Sequence, residues 1–270
     1  MHRYLAGIGL WRCLADASGI RPDVPAVDAA GLGVFGRGRW AFRDITLRLV
    51  PGSVLLLVGR VGSGRSSLLL TLAGHMRPTD GRLTVFGYDV HGYARRVHQL
   101  VSVARIGEAE LAPQLTVAES VEERALLEVA DRGVAGDRFR RACELVGLSV
   151  HQQALVRELP SVDRTLLALA LALVRAPLLV VIDDVDAGLN APDEHSVWQG
   201  IRAVADSGVT VAAATTDPAP AEGCFDVPLT LGSLPDGGGP GSQAPAGQLP
   251  CPPADPGKAG GRRQSSPPGL

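Results

Sequence analysis

The sequence predicts an open α/β sheet with a ligand site at the carboxyl ends of its strands. Three observations predict it. The apolar run Val54-Leu55-Leu56-Leu57-Val58 leads into Gly59-Arg60-Val61-Gly62-Ser63-Gly64-Arg65-Ser66-Ser67, and a second apolar run, Leu68-Leu69-Leu70-Thr71-Leu72, follows. Strand, glycine-rich turn and helix start in that order make a phosphate-binding loop. Glycines let the backbone curl so that several N–H groups face one oxyanion, and the helix adds its own free N–H groups and the positive end of its dipole. The wholly apolar residues 178–182 end in Asp183-Asp184, as a central parallel strand with carboxylates at its tip does. Finally, strand-like and helix-like segments alternate along the chain, and open sheets of that kind bind ligands beyond their carboxyl ends.

In chain order, residues 1–25 form a leader without a clear pattern, and residues 26–35 alternate weakly as a first strand. Residues 45–49 and 53–58 read as strands parted by the turn Val50-Pro51-Gly52. A helix from Ser66 ends near Gly74; Pro78-Thr79-Asp80-Gly81 is a turn, 82–86 a short strand, and 87–97 loop-like. Residues 101–106 read as a buried strand. Thr116-Val117-Ala118-Glu119 is a capping box, which starts a helix running to about residue 130. Residues 137–146 make a second helix and 161–174 a third, rich in Leu and Ala. Asn190-Ala191-Pro192 opens a helix to about residue 207, and residues 209–215 and 227–231 are strands. From residue 233 to 270 the chain is mostly Pro, Gly, Ser, Ala and Gln, which cannot bury enough apolar surface to fold.

Composition narrows the function. A chain of 270 residues with 46% hydrophobic content holds a full α/β core. A formal charge of -2 supplies no positive field to collect nucleic-acid phosphates, so no nucleic-acid partner is expected. Cys13, Cys143, Cys224 and Cys251 lie far apart and read as small apolar residues in a reducing cytoplasm. His75, His91, His98, His151 and His195 show no ligand spacing. The longest apolar stretch, 166–174, is broken by Arg175-Ala176-Pro177, well short of the roughly 20 residues that span a membrane. The only lysine is Lys258.

Further segments complete a constellation. Phe42-Arg43-Asp44-Ile45-Thr46-Leu47 precedes Pro51-Gly52, and Arg77-Pro78-Thr79-Asp80-Gly81 follows the first helix. Residues 111–119 lead into the helical stretch, Ala187-Gly188-Leu189-Asn190 follows the carboxylate pair, and a later strand ends in Thr215-Thr216-Asp217. With these the chain, from about residue 31 to 231, resembles the nucleotide-binding subunit of ABC transporters. The resemblance implies a P-loop NTPase of the ABC type over residues 26–232, with a helical subdomain at about 112–165.

The resemblance also implies a site. Gly59, Arg60, Val61, Gly62, Ser63, Gly64, Arg65, Ser66 and Ser67 would cradle the phosphates of ATP, and Ser66 and Asp183 would hold Mg²⁺. Arg65 stands where the family has a lysine: the charge is kept, but on a larger, planar group. Asp184 stands where a glutamate polarises the attacking water, one methylene shorter. Of the family's signature loop, Leu159-Pro160-Ser161-Val162-Asp163 keeps only the leucine. Thr216 occupies the switch-histidine position, Gly107 the position of the subdomain-linking Gln, and Asn190 the acidic position of the dimer-contact loop. Phe35 and Trp40 are candidates for adenine stacking, or else core residues.

The implied function is an ATP-binding, slowly hydrolysing subunit on the cytoplasmic face of the membrane. It would pair with itself or with another ATP-binding subunit, and with a membrane-spanning permease. The alternative is a hydrolysis-deficient, ATP-sensing relative. A third reading is an unrelated P-loop kinase, whose arginine-bearing lid would fall between residues 116 and 176, or a loop that binds no nucleotide.

Overall fold

A computed structural model describes residues 23–106, 111–127 and 132–232. The expected leader, apart from residues 23–25, and the tail from residue 233 lie outside them. Among the described residues nine strands form two sheets. Strands β1 (Val27–Gly36), β2 (Arg39–Leu49), β4 (Asp80–Val85) and β5 (Tyr88–Asp89) make an antiparallel sheet in the order β2-β1-β4-β5. Strands β3 (Val54–Gly59), β6 (Val101–Arg105), β7 (Leu179–Ile182), β8 (Thr210–Thr215) and β9 (Val227–Leu231) make a parallel sheet in the order β6-β7-β8-β3-β9.

The parallel sheet is buried on both faces, which is why its strands read as continuous apolar runs rather than alternating ones. Side chains still alternate between faces. Leu55 and Leu57 of β3, Leu179 and Val181 of β7, and Ala212 and Ala214 of β8 share one core with the antiparallel sheet. That core also holds Leu68, Leu69 and Leu72 of helix α1 (Arg65–Leu72) and Val97 and Leu100 of α2 (Ala94–Leu100). Val54, Leu56, Val180, Ile182, Val211 and Ala213 face a second core. It is closed by α3 (Val117–Leu127), α4 (Arg132–Val146), α5 (Ser161–Leu173) and α6 (Ala191–Asp206).

Helix α5 is buried from Thr165 through Leu173, and it packs on α4, α6 and β6. An all-round apolar helix of this kind has no solvent face to offer. The capping box forms as expected. Glu119 Oε2 accepts from the Thr116 N–H at 2.7 Å, and the Thr116 hydroxyl oxygen accepts from the Glu119 N–H at 3.2 Å. Asn190 caps α6, accepting the Asp193 N–H at 3.0 Å. Pro228 falls on β9, a strand with one paired edge, where a missing N–H is tolerated.

Three expectations are corrected. Residues 87–97 are not a loop throughout: they contain β5 and the start of α2. Helix α2 has seven residues and two buried apolar side chains, Val97 and Leu100, too few for a visible period. Strand β2 begins at Arg39, not at residue 45, because a hairpin with positive φ at Arg37 (53°) and Gly38 (78°) returns Trp40 onto Phe35. Helix α4 begins at Arg132 rather than residue 137. Among the described residues no helix is long and apolar enough to cross a membrane.

Thr116→Ala removes the reciprocal cap of α3. It should cost about 1 kcal/mol, read as a lower urea midpoint at unchanged slope.

Candidate nucleotide site

The site lies at the carboxyl ends of β3, β7 and β8. The loop after β3 turns at Gly62 and Gly64 (φ 82° and 94°) and enters α1. Glycine is required at position 64 twice over. Besides the left-handed φ, a Cβ there would stand 2.0 Å from the Ala41 carbonyl oxygen of β2. Gly64 is the N-cap of α1 and no side chain caps it, so the N–H groups of the first helical turn have no intrahelical acceptor. Arg60, Val61 and Gly62 are exposed at the mouth, Ser63 is buried, and Ser66 and Ser67 are half-buried in the first turn of α1.

Opposite stands the tip of β7. Asp183 is fully buried; its Oδ1 accepts the Asp184 N–H at 2.9 Å, and its Oδ2 has no hydrogen-bond partner. Asp184 is left-handed (φ 45°), a conformation an L residue adopts only when its surroundings impose it. Here Arg105, at the end of β6, imposes it. Its Nη2 donates to the Asp184 carbonyl, its Nε to the Asp183 carbonyl at 3.3 Å, and its Nη1 to the Thr165 hydroxyl of α5 at 3.3 Å.

The two sides of the site meet through one ion pair. Arg65 Nη2 donates to Asp184 Oδ1 at 2.7 Å. Arg65 is 6% exposed and the Asp184 side chain 40%. The second terminal nitrogen of Arg65, Nη1, and the Ser63 hydroxyl are buried and without partners. A buried donor left so costs about 1–3 kcal/mol, which an anion at the loop would recover. Burial pushes the Asp184 carboxyl above the usual aspartate range, and the neighbouring Asp183 adds to this. Arg65 opposes the shift, Asp186 supports it and Arg105 opposes it.

The tip of β8 is fastened by two further carboxylates. Asp186 Oδ2 accepts the Thr216 N–H at 2.9 Å and also the Thr216 hydroxyl. Burial would raise Asp186, yet the two bonds from Thr216, with help from Arg65, hold it below the ordinary range. Glu194 of α6, 5% exposed, accepts from Trp198 Nε1 at 3.3 Å and from the Thr215 hydroxyl at 3.2 Å.

Phe35 and Trp40 form an edge-on pair, centroids 5.2 Å apart, with the Arg43 guanidinium 5.0 Å over Trp40. Ser161 begins α5, where its hydroxyl accepts from Arg164 at 3.0 Å. Gly107 lies outside the described residues. Arg105, Asp186 and Glu194 escaped the sequence reading. Arg105 had a signal, a lone charge in a buried run, and Asp186 another, a third carboxylate in Asp183-Asp184-Val185-Asp186.

Residues 42–187 match the ABC transporter family model. The chain belongs to the ABC transporter family. It is the ATP-binding subunit of such a complex, with the family's P-loop fold and helical subdomain. The ABC transporter ATP-binding protein YtrE of Bacillus subtilis is 28% identical over 180 residues, which is 65% of this chain and 78% of that protein. The hemin import ATP-binding protein HmuV of Gloeobacter violaceus is 30% identical over 196 residues, covering 68% of this chain and 70% of that protein. Among solved structures, cbiO1 from Clostridium perfringens, described as part of the ABC transporter complex cbiONQ, superposes with a TM-score of 0.68. The identity is 17%, over 77% of this chain and 85% of that one, so this likeness concerns the fold alone.

Burial raises the Glu194 carboxyl above its ordinary 4.5; the bonds from Trp198 and Thr215 oppose this, and the charges of Asp186 and Asp217 add to it. A carboxyl raised on folding contributes stability below about pH 4.5 and loses it as pH rises through the folded value. Glu194→Gln removes that loss. Its urea midpoint should therefore fall less than the parent's between about pH 4.5 and about pH 8.

Proposed function

We propose that the segment from Gly59 to Ser67 binds the phosphates of ATP, with Arg65 as the charged contact, and that Ser66 and Asp183 hold the accompanying Mg²⁺. The observation that carries the reading is the pairing of opposite vacancies across the site. On one side lie the uncapped first turn of α1 and the unpartnered Arg65 Nη1, which suit an anion; on the other is the buried, unpartnered Asp183 Oδ2. A buried carboxylate oxygen without a donor suits a hard cation. When bound, Mg²⁺ would offset phosphate charge.

The chain's own groups then have separable roles. The loop N–H groups fix the phosphates in place, which is most of what phosphoryl transfer asks of a protein. Asp184 is the base that would hold a water, and its carboxylate is one methylene shorter than a glutamate. Thr216 gives its N–H and hydroxyl to Asp186 and so has no imidazole-like charge to offer a phosphate. Pro160, ahead of α5, supplies no N–H, and Val162 puts a side chain where the family's glycine allows close approach. We therefore read turnover as slow, or as dependent on a better-equipped partner subunit. The protein would act at the inner face of the membrane through a permease, moved by nucleotide binding. The second reading, a non-hydrolysing ATP sensor, is favoured by the engagement of Asp184 with Arg65.

Arg65→Ala is expected to weaken MgATP binding about 10-fold or more in calorimetric titrations, since it removes a charge-assisted contact. Unchanged affinity would place that charge away from the phosphates. Asp183→Asn should flatten the Mg²⁺ dependence of ATP binding; coincident Mg²⁺ titrations of mutant and parent would remove the metal role. Single-turnover hydrolysis measured beside equilibrium binding separates the two readings, since tight binding without phosphate release above background belongs to a sensor.

A further inference from the structure

Arg65 and Asp184 lie 119 positions apart in sequence, one opening α1 and the other just past the tip of β7. In the sheet β8 separates β3 from β7. Helix α1, which Arg65 opens, packs against β7 as well as β8, and this brings the guanidinium to the Asp184 carboxylate. The contact is also built, not incidental, because every polar group of Asp184's backbone is held. Its N–H donates to Asp183 Oδ1 at 2.9 Å, its carbonyl accepts from Arg105, and its left-handed φ of 45° follows from both. Arg105 is itself tied to Thr165 of α5. The carboxylate is thus held out toward Arg65. The other nearby acid, Asp186, is occupied by Thr216 and makes no ion pair with Arg65.

We propose that the Arg65–Asp184 ion pair is a self-inhibitory latch on nucleotide binding: terminal phosphates enter at the unpartnered Arg65 Nη1 and compete for the same cation with the Asp184 carboxylate held on Nη2. The proposal rests on the nucleotide reading of the Gly59–Ser67 loop. It assigns Asp184 a second role. Before nucleotide binds, Asp184 holds the phosphate-binding cation; once phosphate has taken that cation, the carboxylate is released toward the position where a base is needed. Binding and arming of the base become one event. The latch also sets a threshold: nucleotide affinity is reduced by the strength of the pair that must first be broken.

A double-mutant cycle on the full chain tests it, with MgATP affinity read by calorimetry for the parent, Asp184→Asn, Arg65→Ala and the double variant. Asp184→Asn should tighten binding about 3- to 5-fold in the parent background, and change it by less than about 2-fold when residue 65 is alanine. Equal tightening in both backgrounds overturns the latch, because it would express only the general repulsion between carboxylate and phosphate. No tightening in the parent background overturns it as well. Absence of binding in the parent and all variants removes the nucleotide reading, and the latch falls with it.

Asp184→Asn leaves Arg65 without its counter-ion and can unfold the chain, so a second measurement uses the parent protein. The side-chain carboxyl carbon resonance of Asp184 is assigned in aspartate-labelled protein by its loss in Asp184→Glu. Saturating MgATP should move it toward its position in Arg65→Ala. A resonance unmoved at saturation shows that the pair survives binding, and sinks the proposal.

Discussion

A sheet buried on both faces leaves its polar groups one place to go. The five parallel strands carry apolar side chains toward two separate cores, and the charged residues that follow β3 and β7 collect beyond their carboxyl ends. That exile makes the site. Arg65, Asp183, Asp184 and Asp186 come from segments far apart in sequence, yet they converge because parallel strands bring every carboxyl end to the same edge. Asp183 is the extreme case: completely buried, with one oxygen satisfied by its neighbour's N–H and one left bare.

Within that edge the charges are arranged as a chain of holders and held. Arg105 fixes the backbone of Asp184, Asp184 fixes Arg65, and Asp186 fixes Thr216. Each link joins one strand tip to another or to the start of α1, so the segments beyond β3, β6, β7 and β8 form one electrostatic unit. Arginine suits two of these posts because its fork can donate to several acceptors at once, as Arg105 does to two carbonyls and a hydroxyl.

How much of this was readable beforehand depends on whether the signal is local. The β3–loop–α1 unit, the tip of β7, the α3 capping box and the start of α6 at Asn190 were all legible, because each is written in consecutive residues. The early part of β2 was not, since Arg39, Arg43 and Asp44 interrupt its apolar pattern and only the hairpin partner β1 makes it a strand. Helix α2 was missed because its short span gives periodicity no room. Within the site, sequence named the residues but not their relations. Arg65 and Asp184 were both singled out, but pairing them requires knowing that α1 packs against β7. The Thr216–Asp186 bond and the Arg105 clamp are likewise products of strand order, and no spacing rule reports strand order.

Helix α5 has a consequence of its own. It belongs to the helical lobe by its contacts with α4, and to the sheet by its contacts with β6, with dry side chains all round from Thr165 to Leu173. Neither lobe can loosen alone without wetting it. Its amides should therefore exchange their hydrogens only through global opening, making α5 the last segment to pick up deuterium.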